Sequence, residues 1–195
     1  MGKDRFNIHD KAACQVVRGG VLLNSDGLAK QGEDKIPFIG KFRTEHWRKG
    51  KLIDVREILN DLTTVGKNAI LNTYFNELTQ IVTANWCTGL INNASFTGYN
   101  IADTMASHGG WTEWTAYTQT TRVAWTQGTA ASAAITNSSP MVFDINGTGD
   151  IRGLFVTTVN TKGGTTGVLW SAASYTSVVS VIPGDQIRST YSLSC

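Results

Sequence analysis

"MVFDINGTGDIRGLFVTTVNTKGGTTGVLWSAASYTSVVSVIPGDQIRSTYSLSC", residues Met141–Cys195, is a succession of short apolar or alternating runs separated by turn sequences. Met141, Phe143 and Ile145 alternate with Val142 and Asp144. In the last run Ile187, Ser189, Tyr191, Leu193 and Cys195 fall on one side and Arg188, Thr190, Ser192 and Ser194 on the other. A two-residue period sends successive side chains to opposite faces of a strand, so this run has one dry and one wet face. "IRGLFVTTV", "TTGVLWSAA" and "SVVSVI" are further runs rich in β-branched and aromatic residues. Asn146-Gly147, Lys162-Gly163-Gly164 and Pro183-Gly184-Asp185 supply the turns between them. Upstream, Trp86, Thr88 and Leu90 alternate with Cys87, Gly89 and Ile91. Short strands at this spacing predict a mainly β body over 81–195, an antiparallel jelly-roll-like sandwich of roughly 110 residues.

The segment before the body has a different period. In "LIDVREILNDLTTVGKNAILNTYFNEL", Val55, Ile58, Leu59 and Leu62 sit at i, i+3, i+4 and i+7, and Ile70, Leu71, Tyr74, Phe75 and Leu78 repeat the pattern. That spacing predicts two short helices over 52–80, the second capped by Thr63 or Thr64 and carrying Gly66 inside it. Residues 1–51 read as an extended N-terminal arm. "CQVVRGGVLLNSDG" within it suggests a small hairpin, and "KFRTEHWRKGK" places six basic residues around Phe42 and Trp47 without sustained periodicity. Phe42, Arg43, Trp47, Arg48, Lys49 and Lys51 form either a clamp for an acidic partner or a solvated loop with an aromatic anchor.

The 195 residues suffice for one domain and an arm, and 41% of them are hydrophobic against 16% charged. A net charge of +2 does not supply the field that a dedicated nucleic-acid binder needs. Charge is uneven, with 12 Lys/Arg against 8 Asp/Glu in residues 1–60 and 5 against 7 thereafter. The opening MGKDRFNIHD puts charges where a signal peptide needs an apolar core, and no window approaches the about 18 apolar residues of a membrane span. The expectation is a chain made and kept in the cytoplasm, without a membrane partner. Cys14, Cys87 and Cys195 form no CxxC pair, which argues against zinc; the last is placed to form an intermolecular disulfide or to remain a reduced thiol.

"IADTMASHGGWTEWTAYTQTTRVAW" gathers Asp103, His108 and Glu113 with Trp111, Trp114 and Trp125. A zincin needs two histidines at helical spacing and a serine hydrolase a nucleophile elbow; neither pattern occurs, nor does a phosphate or dinucleotide loop. No catalytic residue, metal ligand or cofactor is therefore expected. Asp103 reads as a cap or Asx turn and His108-Gly109-Gly110 as a turn with a polar tip. Arg122 is the only cation between Lys67 and Arg152 and can pair with Glu113 or Asp103, or stack on a ring, holding the loop. Trp86, Trp111, Trp114, Tyr117 and Trp125 read as a structural aromatic cluster, with a sugar-stacking platform as the alternative.

Three stretches carry a resemblance: "NWCTGLINNASFTGYNIADTMASHGGWTEWTAYTQTTRVAW", "FDINGTGDIRGLFVTTVNTKGGTTGVLWSAA" and "VIPGDQIRSTYSLSC". Trp86 before the Gly89-Leu90-Ile91 strand, the Asp103 to Arg122 stretch, the Ile151 to Gly153 strand and the Lys162 to Gly167 turn are its most specific parts. Over about 60–195 the chain resembles small structural proteins of tailed bacteriophages, of the head-decoration, cement or tail-associated kind. The resemblance implies a non-enzymatic virion protein that binds the major capsid protein or other virion proteins and associates with itself. The alternatives it leaves are a collar, neck or tail component and a carbohydrate- or receptor-binding head fibre.

Overall fold

The computed structural model describes residues 38–60 and 62–195, together with the strand backbone of Val17–Arg18 (β1) and Val21–Leu22 (β2). β1 and β2 pair antiparallel in the segment Met1–Ile36, as the Gly-Gly-interrupted sequence suggested. The rest of the arm before Phe38 lies outside the described residues, Cys14 included.

Pro37–Cys195 is a separate compact unit built on two antiparallel sheets. The first contains Ile39–Arg48 (β3), Lys51–Asn60 (β4), Ala134–Thr136 (β8), Met141–Asp144 (β9) and Gln186–Ser194 (β12). Its order is β4-β3-β12-β8, with β9 also pairing β12. The second contains Cys87–Asn92 (β5), Thr112–Trp114 (β6), Val123–Ala124 (β7), Gly149–Thr157 (β10) and Leu169–Val181 (β11). It is ordered β11-β10-β5-β6, with β7 also on β5. The core lies between the sheets: Phe42, Phe143, Ile187 and Tyr191 of the first meet Leu90, Leu154, Val156, Tyr175 and Val179 of the second.

The arm does not extend to residue 51. β3 pairs β12 from Ile39↔Ser194 to Trp47↔Gln186, and its inward row is Gly40, Phe42, Thr44 and His46. Three of those four are not apolar, so the hydrophobic alternation that marks a strand is missing although the structural alternation is intact. Lys49 and Gly50 have φ of 50° and 73° between the paired Arg48 and Lys51, which makes a two-residue hairpin of the primed kind. The first expected helix is likewise absent. Its residues are β4, paired to β3 from Leu52 to Asn60, and Val55 and Leu59 point to solvent at 42% and 69% exposure. Apolar residues on both faces of a strand imitated the i, i+3, i+4 spacing of a helix.

The second helix forms as Thr64–Phe75 (α1), the one α-helix among the described residues. Thr63 caps it, its hydroxyl accepting the Gly66 N–H at 3.0 Å while its own N–H donates to Trp170 O at 3.0 Å. A Cβ on Gly66 would come within 2.7 Å of Trp170 O, so glycine is what lets the helix start lie against β11. Only Gly66 and Ala69 of the helix are buried, and Tyr74 and Phe75 remain exposed.

The second sheet is buried on its outer face too, which explains the uninterrupted burial along β5 and β10. The 93–111 loop folds back over it and places Met105 and Trp111 with Ile91, Phe155, Leu169 and Ala172. Gly89 lies opposite Phe155 in the register, where a Cβ would meet the Phe155 ring at 2.3 Å. The ring occupies the space above the glycine and becomes the floor on which the loop rests.

Candidate functional site

Asp103, His108, Trp111, Glu113 and Arg122 converge on this outer face of the second sheet. Asp103 accepts the Asn100 N–H at 2.9 Å and the Trp111 indole N–H at 3.0 Å, closing a turn and fixing the ring. His108 stacks on Trp111 with centroids 4.1 Å apart, and its Nδ1 donates to Thr104 O at 3.0 Å. Trp111 in turn lies 5.0 Å from Phe155 and is 2% exposed.

Glu113 and Arg122 form a buried ion pair, with Arg122 Nη2 at 2.9 Å and Nε at 3.1 Å from the carboxylate and side-chain exposures of 7% and 0%. Two further donors of Arg122 are used, Nη1 on Val159 O at 2.8 Å and Nη2 on Gly164 O at 2.7 Å. Glu113 also accepts the Gly163 N–H at 2.8 Å. Lys162 donates to Tyr117 O and Gln119 O at 2.9 and 2.7 Å and lies over the Tyr117 ring. The KGGTTG turn is thus fastened to the loop before β7 from both directions. The guanidinium and carboxylate satisfy each other and three backbone groups, and a cleft of about 240 Å³ lies between them and His108. Such an arrangement holds loops.

The aromatic residues do not make one cluster. Trp86 and Trp125 are in the inter-sheet core, joined edge to face at 5.9 Å, and Trp86 meets Trp170 at 5.1 Å. Tyr117 is in the same core against Phe143, while Trp111 is on the far side of the sheet. Trp114 is half-buried and packs on Gly147 and Gly149, where a Cβ on Gly149 would strike its ring at 2.3 Å. With Trp111 and Trp125 at 2% and 3% exposure, neither offers a face to a sugar.

The basic residues of "KFRTEHWRKGK" separate by face. Phe42 is fully buried against Tyr191 at 4.5 Å and offers nothing to a partner, contrary to the expectation from sequence. Arg43 pairs with Glu45 and Glu57 on the outer face of the first sheet. Trp47 donates to Glu45 at 2.8 Å and lies under the Arg188 guanidinium. Arg43 first, then the Trp47 indole, hold the Glu45 carboxyl below its usual value. Lys49 and Lys51, at the hairpin tip, carry no ion pair among the described residues and are exposed.

Arg48 belongs to a cluster that sequence spacing did not show. It donates through Nε and Nη2 to Asp185 at 2.8 Å each, and His46 Nε2 donates to the same carboxylate at 2.8 Å, as does the Ile182 N–H at 3.0 Å. Burial alone would raise the Asp185 pKa; Arg48, His46 and the Ile182 N–H outweigh it and hold the carboxyl far below its usual value. The pair ties the β11–β12 turn to the β3–β4 hairpin. Cys87 is buried, and burial pushes its thiol up to about 12, whereas Cys195 is exposed at the end of β12.

No three His, Cys, Asp or Glu side chains among the described residues gather as a metal site, and none of the described helices is long and apolar enough to cross a membrane. No family model and no curated protein matches the chain.

Two outcomes follow from these clusters. Arg122→Met strands Glu113 in the interior and is expected to cost about 3–5 kcal/mol in urea unfolding, whereas the double variant Glu113→Leu/Arg122→Met recovers much of that loss. A cost for the single change under about 1 kcal/mol would show that the pair does not hold the loops. Because the folded-state pKa of Asp185 lies below its usual 3.8, its contribution is full above that value and is lost as pH falls toward the folded pKa. Unfolding free energy measured from neutral to strongly acidic pH should therefore fall less steeply below pH 4 in Asp185→Asn, from a lower plateau; identical slopes would contradict the assignment.

Proposed function

We propose that this chain is a non-enzymatic structural protein of a tailed-bacteriophage virion, one that decorates or cements the head. The observation that carries the reading is the β3–β4 hairpin tip. Lys49 lines, and Lys51 stands exposed near, a cleft of about 590 Å³ whose lining includes Trp47, Thr118, Asn146 and Pro183 and whose carboxylates, Asp144 and Asp185, are held by Gln119 and Gln186 and by Arg48 and His46. Several other cations of this unit are taken up internally, Arg122 by Glu113, Arg48 by Asp185, and Arg43 by Glu45 and Glu57. Two lysines without an ion pair among the described residues, one in the two-residue turn and one at the start of β4, next to a concave surface, suit docking to an acidic segment of the major capsid protein or another virion protein. The sequence resemblance over about 60–195 points to the same class.

A jelly-roll-like arrangement belongs to the proposal. Its support is that β9 and β12 are neighbours in one sheet although the β10–β11 hairpin between them in sequence lies in the other, a Greek-key type of crossing. A sandwich whose loops are tied by the Glu113–Arg122 and Arg48–Asp185 pairs suits a protein that is repeated by particle symmetry. Placement at the collar, neck or tail would keep the same body and the same docking chemistry.

The test uses particles that lack this protein, incubated with the purified full chain and pelleted. Wild type is expected to co-sediment, and Lys49→Glu/Lys51→Glu to lose at least about tenfold in apparent affinity, since two charge reversals at a docking rim act on the encounter and on the paired groups. The urea midpoint should be unchanged. Undiminished binding of the double variant would remove the hairpin from the interface, and absence of wild-type binding to any virion part would remove the reading.

A further inference from the structure

Two long strands lie at sheet edges, and they are treated differently. β11 leaves its partner β10 between Ser174 and Val179, and Arg56 donates to the carbonyls of Ser177 and Val178 there, the latter at 3.1 Å. Arg48 donates to Ser180 O at 3.3 Å. A bulge and two guanidinium groups blunt that edge, as natural sheets do to prevent unwanted pairing. The other edge strands, β6, β7, β8 and β9, have four residues or fewer. β4 has ten, pairs only β3 among the described residues, contains no proline, and exposes Leu52, Ile53, Val55 and Leu59 at 42–69%. Its one irregularity is the register shift opposite His46 and Trp47, after which pairing runs unbroken from Asp54 to Asn60. An exposed, apolar edge of that length is a template for another strand.

The charges along β4 say which strand. In "KLIDVREILN" Asp54 and Arg56 flank Val55. An antiparallel, two-fold pairing of β4 with itself must join residues of like parity, or the two outer faces would not coincide. Centred on Val55, that pairing sets Asp54 of each copy opposite Arg56 of the other, joining the Arg56–Asp54 ion pair of 2.7 Å already present within each copy to its mate, and sets Val55 opposite itself. Centred one residue away on either side, it sets two aspartates or two arginines face to face, which directly opposed cross-strand positions disfavour. The Val55 register also sets the two exposed Val55 side chains against each other on the outer face.

We propose that two copies of this chain associate through β4, antiparallel and two-fold symmetric about Val55, so that the first sheet runs continuously across both molecules. The pairing does not depend on binding to a virion, because it uses an edge that lies at the opposite border of the sheet from β8 and needs no other protein. It would give a decorating protein a built-in dimeric unit.

The test is sedimentation velocity of the purified full chain at micromolar concentration, with no particles present. Wild type should sediment as a dimer, and Val55→Lys, which opposes two ammonium groups at the axis, should weaken dimerisation by about tenfold or more. Val55→Cys should form a disulfide-linked dimer under mild oxidation, because directly opposed residues bring their Cβ atoms within disulfide reach; Glu57→Cys, displaced from the axis, should not. Wild type oxidised in parallel reports cross-links through the native cysteines. A monomeric wild type overturns the proposal, and so does a dimer that Val55→Lys leaves unchanged or that cross-links equally well at both engineered positions. If Val55→Lys does not fold, the cysteine pair still decides the register. Failure here leaves the particle-binding reading standing, since that reading is measured at Lys49 and Lys51.

Discussion

A chain of aromatic side chains joins the two sheets, and the rest of the unit depends on it. Phe42 of β3 meets Tyr191 of β12 at 4.5 Å, Tyr191 meets Trp125 at 5.0 Å, Trp125 meets Trp86 at 5.9 Å, and Trp86 meets Trp170 of β11 at 5.1 Å. Burying each such ring contributes on the order of 1.5–3 kcal/mol, and edge-to-face contact adds about 0.5–1.5 kcal/mol more. Tyr191 also accepts Ser171 Oγ at 3.4 Å from the opposite sheet. A Cβ on Gly40 would fall 2.5 Å from the Tyr191 hydroxyl, so a small residue at that point of β3 is what lets the ring lie flat between the layers. Lose the chain and the sheets have no common floor; the outer loops then have nothing to rest on.

From that floor outward, each layer is fixed by the one beneath. Phe155 sits over Gly89, Trp111 sits on Phe155, and His108 sits on Trp111. The buried Glu113–Arg122 pair closes the stack from the side and draws in Val159, Gly163 and Gly164. A buried pair contributes little net stability compared with an apolar replacement, yet it tolerates only the geometry that satisfies all its donors and acceptors. Its effect is on shape. A body with a defined hairpin tip is what the proposed virion-surface role would draw on.

The strands of 141–195 were legible because their inward residues are apolar and their turns carry glycine. Ile187, Ser189 and Tyr191 of β12 are buried on one face, as their alternation indicated, and Gly184 of the Pro-Gly-Asp turn has a φ of 90°. The Thr63 cap and the helix after it could also be read from local sequence. β3 and β4 could not. Thr44 and His46 occupy core positions because Ser189 and Asp185 partner them across 145 and 139 residues, and no local period reports a partner that distant. On β4 the outward apolar residues, unusual for an edge, supplied a false helical spacing. At the site, the isolation of Arg122 among acids was enough to suggest its ion pair with Glu113, whereas the division of the tryptophans between two faces of one sheet depends on register, which the sequence does not state.

The measurement that bears most directly on the proposed function is a cryo-electron microscopy reconstruction of virions purified from a lysate that contains this chain, with the two-sheet body fitted to the density. The account predicts density for the sandwich on the head lattice, with the Lys49–Lys51 turn against an acidic surface of the capsid protein. Particles complete without any density for this body, and free of the chain by mass spectrometry, would contradict it.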